Sequence, residues 1–222
     1  MKQLLAHLRA VGAPTLYRKD ASIYFQGEVP RYAVIILDGV AKAYAISPDG
    51  DEIIINLFGK GAILPIEWIN NQAPTSLFNF DALSDIRALS IKKSDLYDAI
   101  NTNMVYMKEY LELVSQSQAG LMLRVAGLCQ SRATEKICYT LYYLALRYGI
   151  ERPGGRREIN LSITQSMLAN LIGQTRESTA KNLRVLKDAG VVDYKSSVYI
   201  IHNESLENFL GEDSFRNLQL GL

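Results

Sequence analysis

The stretch from Ser162 to Val192, SITQSMLANLIGQTRESTAKNLRVLKDAGVV, constrains the fold more than any other part of the chain. Two short apolar periodicities lie here, separated by a break at Ile172, Gly173 and Gln174. That pattern predicts two helices joined by a tight turn, a helix-turn-helix. Thr164 is placed to start the first helix, its hydroxyl accepting from an otherwise orphaned backbone amide. Met167, Leu168, Leu171 and Ile172 follow as its buried stripe, and Gly173 supplies the permissive backbone of the turn. Thr175 caps the second helix. Because Ser178 follows it rather than an acidic residue, this is a simple cap and not a full capping box.

Along the second helix Thr179, Leu183 and Leu186 fall at the spacing of one inward stripe, which leaves Arg176, Glu177, Ala180, Lys181 and Arg184 outward. Such a face has the chemistry a major-groove reader requires. The small residue allows close approach, arginine can pair with a guanine edge, and glutamate can accept from a cytosine amine. A solvated charged surface helix has the same composition, and this pattern alone leaves both readings open. The sequence downstream favours the first. Asp188, Ala189 and Gly190 end the periodicity, and Val191 to Tyr194, Lys195 to Ser197 and Val198 to Ile201 read as strand, turn and strand, a wing.

The string Gly173-Gln174-Thr175-Arg176-Glu177-Ser178-Thr179, followed by a Leu-x-x-Leu helix end and a short hairpin, resembles the winged helix-turn-helix of the Crp/Fnr family of bacterial transcription regulators. In that family the motif reads as a glycine, two variable residues, then Arg-Glu-Thr; here Ser178 replaces the threonine. The resemblance implies that Arg176 and Glu177 are the base-reading pair. Lys181 stands where the family usually has arginine. Lysine keeps the charge but loses the bidentate fork, which points to phosphate contact there. The candidate DNA-binding residues are Thr164, Gln174, Thr175, Arg176, Glu177, Ala180, Lys181, Arg184 and Lys195. The partners this implies are double-stranded DNA carrying a pseudo-palindromic operator, a second copy of the chain, RNA polymerase, and an unidentified small-molecule effector.

A chain of 222 residues with 48% hydrophobic content can bury a real core in one or two domains. No apolar run approaches the roughly 18 residues of a membrane span, and MKQLLAHLRA lacks a signal-peptide core with its cleavage site, so a cytoplasmic protein is expected. The net charge is only +1. Divided by segment it is more informative: residues 1 to 100 carry ten Lys/Arg against eleven Asp/Glu, and residues 132 to 195 carry eleven against six. The basic excess lies on the helix-turn-helix segment, the footprint expected of nucleic-acid binding.

Residues 15 to 92 read as many short strands: Ile23 to Phe25, Tyr32 to Leu37, Val40 to Ile46, Glu52 to Phe58, Phe78 to Ala82 and Ile86 to Ile91. Glycines 27, 39, 50 and 61 stand at the turns, and the regular spacing predicts a small antiparallel barrel or jelly roll. The arrangement is similar to the cyclic-nucleotide-binding barrel that begins Crp/Fnr regulators, including Gly27-Glu28, Leu37-Asp38-Gly39, Pro48-Asp49-Gly50 and Gly61. In the nucleotide binders of that family a Gly-Glu-Leu turn supplies a glutamate to the ribose, and a later Arg-Ser pair supplies an arginine to the cyclic phosphate. Here the turn reads Leu64-Pro65-Ile66-Glu67-Trp68, and Ser76 and Leu77 stand where that pair would be. A buried phosphate without its arginine is costly, so ordinary cyclic AMP binding is not expected.

The candidate effector pocket comprises Ile63, Pro65, Ile66, Glu67, Trp68, Ser76 and Leu77. Two alternatives stay open within it. Glu67 is either a pocket residue or an exposed turn carboxylate, and Trp68, with Phe78 and Phe80, is either pocket lining or plain barrel core.

From Ser94, read as the cap of a short helix ending near Asn101, the period changes. Met104, Met107, Leu111, Val114, Gln118, Leu121, Val125 and Leu128 recur at alternating spacings of three and four, an a/d seam of about four heptads. So narrow a stripe favours pairing with a second copy, and Gln118 in its middle can fix register. Residues Arg132 to Tyr148 read as another apolar helix, Gly149 to Arg157 as a loop, Glu158 to Leu161 as a short strand and Glu204 to Leu210 as a last helix.

Cys129 and Cys138 have neither metal-ligand nor disulfide-framework spacing, and both are expected to be buried or semi-buried free thiols. His7 and His202 are too far apart in kind and place to suggest a triad or a zinc site, and Gly59-Lys60-Gly61 lacks the helix of a phosphate loop, so no enzyme and no cofactor is expected. The expected class is α+β: an N-terminal antiparallel β-barrel or jelly roll at 1–102, a dimerisation helix at 103–130, and a winged helix-turn-helix at 131–222. A dimeric small-molecule-binding or protein-interaction module with a vestigial helix-turn-helix is the alternative function.

Overall fold

The computed structural model describes residues 2–211. The chain opens with helix α1 (Lys2–Val11), then runs through β1 (Ala13–Tyr17), β2 (Ser22–Tyr24), β3 (Ala33–Asp38), β4 (Ala41–Ile46), β5 (Glu52–Phe58) and β6 (Ile63–Leu64). A single helical turn, α2 (Ile66–Ile69), leads into β7 (Asn79–Ala82), β8 (Ile86–Ile91), α3 (Lys93–Thr102) and the long helix α4 (Met104–Leu128). Residues up to Ser115 form one unit and those from Gln116 a second, so α4 contributes to both.

The first unit is jelly-roll-like, with two four-stranded antiparallel sheets, β1-β8-β3-β6 and β2-β7-β4-β5, rather than one closed barrel. Strand alternation explains its two cores. From β3, Val34 and Ile36 point between the sheets with Ala41, Ala43, Phe80, Ala82, Ile86 and Ala88. Ala33 and Ile35 point to the other side of the same strand, where Leu4 and Leu8 of α1, Leu96 and Ile100 of α3, and Tyr110 and Leu113 of α4 cover them. A strand covered on both faces is apolar throughout, which is why AVIIL shows no alternation in sequence.

Two edge strands leave no apolar rhythm in the sequence. Strand β1 carries only exposed or half-buried residues, and β6 is two residues long. Gly39 shows why glycine stands at a turn here. Its φ is 90°, and an added Cβ would collide with the carbonyl oxygen of Asp85.

Ser94 does not cap α3. Lys92 occupies the N-cap, and the Ser94 hydroxyl instead donates to the Asp95 carboxylate at 3.1 Å. The amino end of α1 is held from a distance, with the Glu109 carboxylate of α4 accepting from the amides of Gln3 (3.1 Å) and Leu4 (2.8 Å).

The second unit contains the end of α4, then α5 (Ala133–Tyr148), β9 (Gly149–Arg152), β10 (Arg156–Ile159), α6 (Gln165–Ile172), α7 (Arg176–Asp188), β11 (Val192–Lys195), β12 (Val198–His202) and α8 (Asn203–Leu210). Gly149–Arg152 is a strand, not the start of a loop, and it pairs with β10 in a four-stranded antiparallel sheet of order β11-β12-β10-β9. That hairpin has no apolar alternation to betray it. It is held by ladder hydrogen bonds and by the Arg157–Glu151 and Arg152–Glu158 pairs across its strands. Cys138 is buried in α5, whereas Cys129 is exposed just past the end of α4, so only one of the two thiols is buried. Residues 212–222, the end of the 131–222 segment, lie outside the described residues.

Candidate nucleic-acid interface

Helix α6 begins where its cap demands. The Thr164 hydroxyl accepts from the Met167 amide at 3.1 Å. Its inward face is Leu168, Ala169, Leu171 and Ile172, with Met167 only half-buried, so the stripe is shifted by one small residue from the expected set. Ile172 still belongs to the helix, and the break falls on Gly173 to Thr175. Gly173 has a left-handed φ of 64° with nothing within 4 Å of an added Cβ, so conformation rather than space selects glycine here.

Thr175 caps α7, accepting from the Ser178 amide at 3.1 Å. The serine that departs from the family pattern has a role of its own. Its hydroxyl donates to the Gln174 amide oxygen at 2.9 Å, which ties the turn to the first turn of α7. Thr179, Leu183 and Leu186 are buried and carry α7 on the core.

The outward face follows from helix geometry. At roughly 100° per residue, Arg176, Ala180, Arg184, Glu177 and Lys181 fall in that order within about 140° of arc that starts beside the buried stripe and turns away from it. The four charged residues are exposed and Ala180 is half-buried between them. None of the four is bonded to another described residue, so three cations and one carboxylate stand available on one helical face. Thr175 is exposed and Gln174 half-buried at its leading end.

The wing closes the same surface. Lys195 is the last residue of β11, exposed beside a two-residue turn in which Ser196 has a φ of 56°. The Ser197 carbonyl accepts from the Ile163 amide at 2.9 Å, which joins the wing tip to the residue before Thr164. At the other end of α7 the Lys187 ammonium lies 5.3 Å from the Tyr194 ring centroid.

The seam positions differ along α4. In the first unit Met107 and Val114 are half-buried against the core, whereas Met104 is 83% and Leu111 55% exposed. In the second, Gln118, Leu121, Val125 and Leu128 are exposed, as is Met122 beside them.

The seven candidate effector positions are placed as follows. Ile63, Ile66 and Trp68 belong to the hydrophobic cluster under α1 and α3, where the Lys93 ammonium lies 4.6 Å from the Trp68 ring centroid and bonds the Trp68 carbonyl. Pro65 is buried after a cis peptide bond. The Glu67 carboxylate accepts from the Leu77 amide at 3.2 Å, which brings those two together, and the Leu77 side chain is exposed. Ser76 is buried, with its hydroxyl donating to the Phe78 carbonyl at 2.8 Å and its backbone bonded to Gly27 and Glu28. Among the described residues there is no group of three or more His, Cys, Asp or Glu side chains that could hold a metal ion. No helix among them is long and apolar enough to cross a membrane.

Comparison with known proteins agrees with this geometry. Residues 14–103 match the cyclic nucleotide-binding domain family, and residues 135–209 match the Crp-like helix-turn-helix domain family. The listeriolysin regulatory protein of Listeria monocytogenes is 23% identical over 194 residues, covering 86% of this chain and 81% of that protein. A protein of Mycobacterium tuberculosis named as a CRP-like cAMP-activated global transcriptional regulator is 23% identical over 87% of this chain and 86% of its own. Among solved structures, FixK2 from Bradyrhizobium japonicum superposes with a TM-score of 0.73 at 18% identity, over 89% of this chain and 96% of that one. A CooA variant from Carboxydothermus hydrogenoformans does so with a TM-score of 0.74 at 16% identity, over 91% and 89%. With a jelly-roll domain matched by the first family, a capped helix-turn-helix and wing matched by the second, and relatives along most of its length, the chain belongs to the Crp/Fnr family of transcription regulators.

Proposed function

We propose that the protein acts in the cytoplasm as a homodimer that binds a pseudo-palindromic operator through α7 and the wing, and that cyclic AMP does not control it. The observation that carries the reading is the outward face of α7, where Arg176, Glu177, Lys181 and Arg184 are exposed and bonded to no other described residue, beside a turn locked by two threonine caps. Arg176 with Glu177 reads a G·C pair, Lys181 and Arg184 contact phosphates, and Lys195 reaches the backbone from the wing. Thr164, Gln174 and Thr175 border the same surface. The exposed a/d positions of α4 supply the contact with a second copy. Two recognition helices about 34 Å apart then meet successive major grooves on one side of the duplex. Acting at a promoter, such a dimer has RNA polymerase as its further partner, and its role is binding rather than catalysis.

The reading on cyclic AMP rests on the sensor domain. From Gly61 through Phe78 the chain has no arginine or lysine to pair with a buried phosphate, and the Ser76 hydroxyl is already engaged. An effector for Ile63, Pro65, Ile66, Glu67, Trp68, Ser76 and Leu77 is proposed to be neutral or apolar, or absent. The mycobacterial relative is named for activation by cAMP; this chain is proposed to differ from it there.

Selection of bound sequences from a random DNA pool, repeated with cell extract added, tests the interface and any effector together. A recovered palindrome supports the reading. Recovery of no sequence under either condition returns the protein to a dimeric interaction module. Calorimetry with cyclic AMP is expected to show no binding at micromolar concentrations, and a saturable isotherm there overturns that part of the proposal.

A further inference from the structure

The orientation of α7 depends on the turn that joins it to α6, and that turn is held from outside the motif. The last carbonyls of any α-helix lack partners inside it. At the end of α6 the amides of Gly173 and Gln174 both return to the Ala169 carbonyl, the second at 3.1 Å. The Leu171 carbonyl is satisfied instead by Nη2 of Arg124, at 3.1 Å.

Arg124 belongs to the second half of α4 and is only 4% exposed, with its guanidinium carbon 5.7 Å from the Tyr143 ring centroid of α5. A cation donating to the last turn of a helix gains both a charge-assisted hydrogen bond and a favourable interaction with the helix dipole. The same face of α4 is pressed close to α5, since a Cβ on Gly127 would collide with Tyr139. Leu121 and Val125, about 60° and 100° around the helix from Arg124, are 45% and 50% exposed and stand at the proposed seam positions.

We infer that Arg124 is a positioning residue that fixes the carboxyl end of α6, and with it the helix-turn-helix turn that aims α7, to the second half of α4. The inference rests on the proposed DNA-binding reading, but it makes a claim about the turn itself that can be measured without DNA.

The test uses full-length R124M, which keeps an unbranched apolar stem and removes the charged guanidinium, and R124K, which keeps the charge and loses the planar fork. R124M is expected to sediment as the parent does and to bind a selected operator about ten- to a hundredfold more weakly, the effect of one buried charge-assisted hydrogen bond. Hydrogen exchange should accelerate at the amides of residues 172–178 and stay unchanged in α5 and the β11–β12 hairpin, with R124K intermediate. Parental exchange at the turn in R124M overturns the inference. Exchange that rises uniformly through the second unit also overturns it, because Arg124 would then only stabilise the fold. Should R124M not fold, R124K decides by the same local pattern. Failure of the parent to select any DNA sequence counts against the proposed interface, and the exchange result still decides the role of Arg124.

Discussion

Replacing Leu111 and Leu121 together with glutamate should abolish the proposed dimer while leaving each copy folded. The two side chains are 55% and 45% exposed in a single copy, so about half of each remains to be buried by a partner. Complete burial of a leucine is worth roughly 1.5–3 kcal/mol, which makes the remaining gain about 1 kcal/mol per residue. With two such residues on each of two copies, about 4 kcal/mol of association is lost. Carboxylates forced into the seam add a desolvation cost of several kcal/mol more.

At about 1.4 kcal/mol per tenfold, the dissociation constant should rise by at least about a thousandfold. The fold of each copy should change by no more than about 0.5 kcal/mol per site, because exposed positions tolerate substitution. Val114 provides the contrast. It has the same seam spacing but packs on the core of the first unit, so Val114→Glu should lower thermal stability outright. Sedimentation velocity at micromolar concentration, thermal unfolding and operator binding on the same samples check all three. A double variant that still sediments as a dimer would falsify the seam.

Arg176→Ala should cost about 1–3 kcal/mol on the selected operator and relax the preference at one base pair, whereas Lys181→Ala should weaken all sequences alike and reduce the salt slope by about one. Titrations over single-base variants and salt separate the two, and an Arg176→Ala protein with parental base preference removes that residue from base readout. Gly173→Ala should cost about 1 kcal/mol in denaturant unfolding, since its φ is 64° but its surroundings are open; Gly39→Ala should cost more, because the added Cβ also meets the Asp85 carbonyl.

Burial alone would raise the pKa of Glu109, but the amides of Leu4 and Gln3 donate to its carboxylate and hold it below the ordinary range. A folded-state pKa below the unfolded one means that this contribution is present above the unfolded value and is lost as pH falls through the folded one. Protection of the α1 amides should therefore decline on acidification, and Glu109→Gln should remove most of that pH dependence. Burial, with a smaller contribution from Glu135, pushes the Cys138 thiol up to about 12, so maleimide at pH 8 should label exposed Cys129 quickly and Cys138 only on unfolding.

The helix-turn-helix was legible because its information is local. A threonine hydroxyl three residues before an amide, a glycine at a left-handed position and an i, i+4, i+7 stripe are all short-range patterns, and each reappears in α6 and α7. The strands with turn glycines were legible for the same reason. Strand β1 and the β9–β10 hairpin were not, because what holds them is pairing with segments distant in sequence or cross-strand charge pairs, neither of which leaves an apolar rhythm. Ser94 misled because a hydroxyl near a helix start can bond a neighbouring carboxylate instead of an amide.

By itself the sequence determined the class of fold, the motif that turns a helix outward, and the charge that helix presents, since all three depend on propensity and period along the chain. Only the tertiary structure decided the rest. It separated the seam residues that stay exposed, Leu111 and Leu121, from Met107 and Val114, which share their spacing but lean on the first unit's core. It distributed the apolar residues after Gly61 between two cores on opposite faces of one sheet. And it gave Arg124, an arginine inside an apolar helix, its partner at Leu171, 47 residues away. Which face of a strand or helix is covered, and which orphaned carbonyl a distant cation satisfies, are properties of how elements meet, and no periodicity within a single element encodes them.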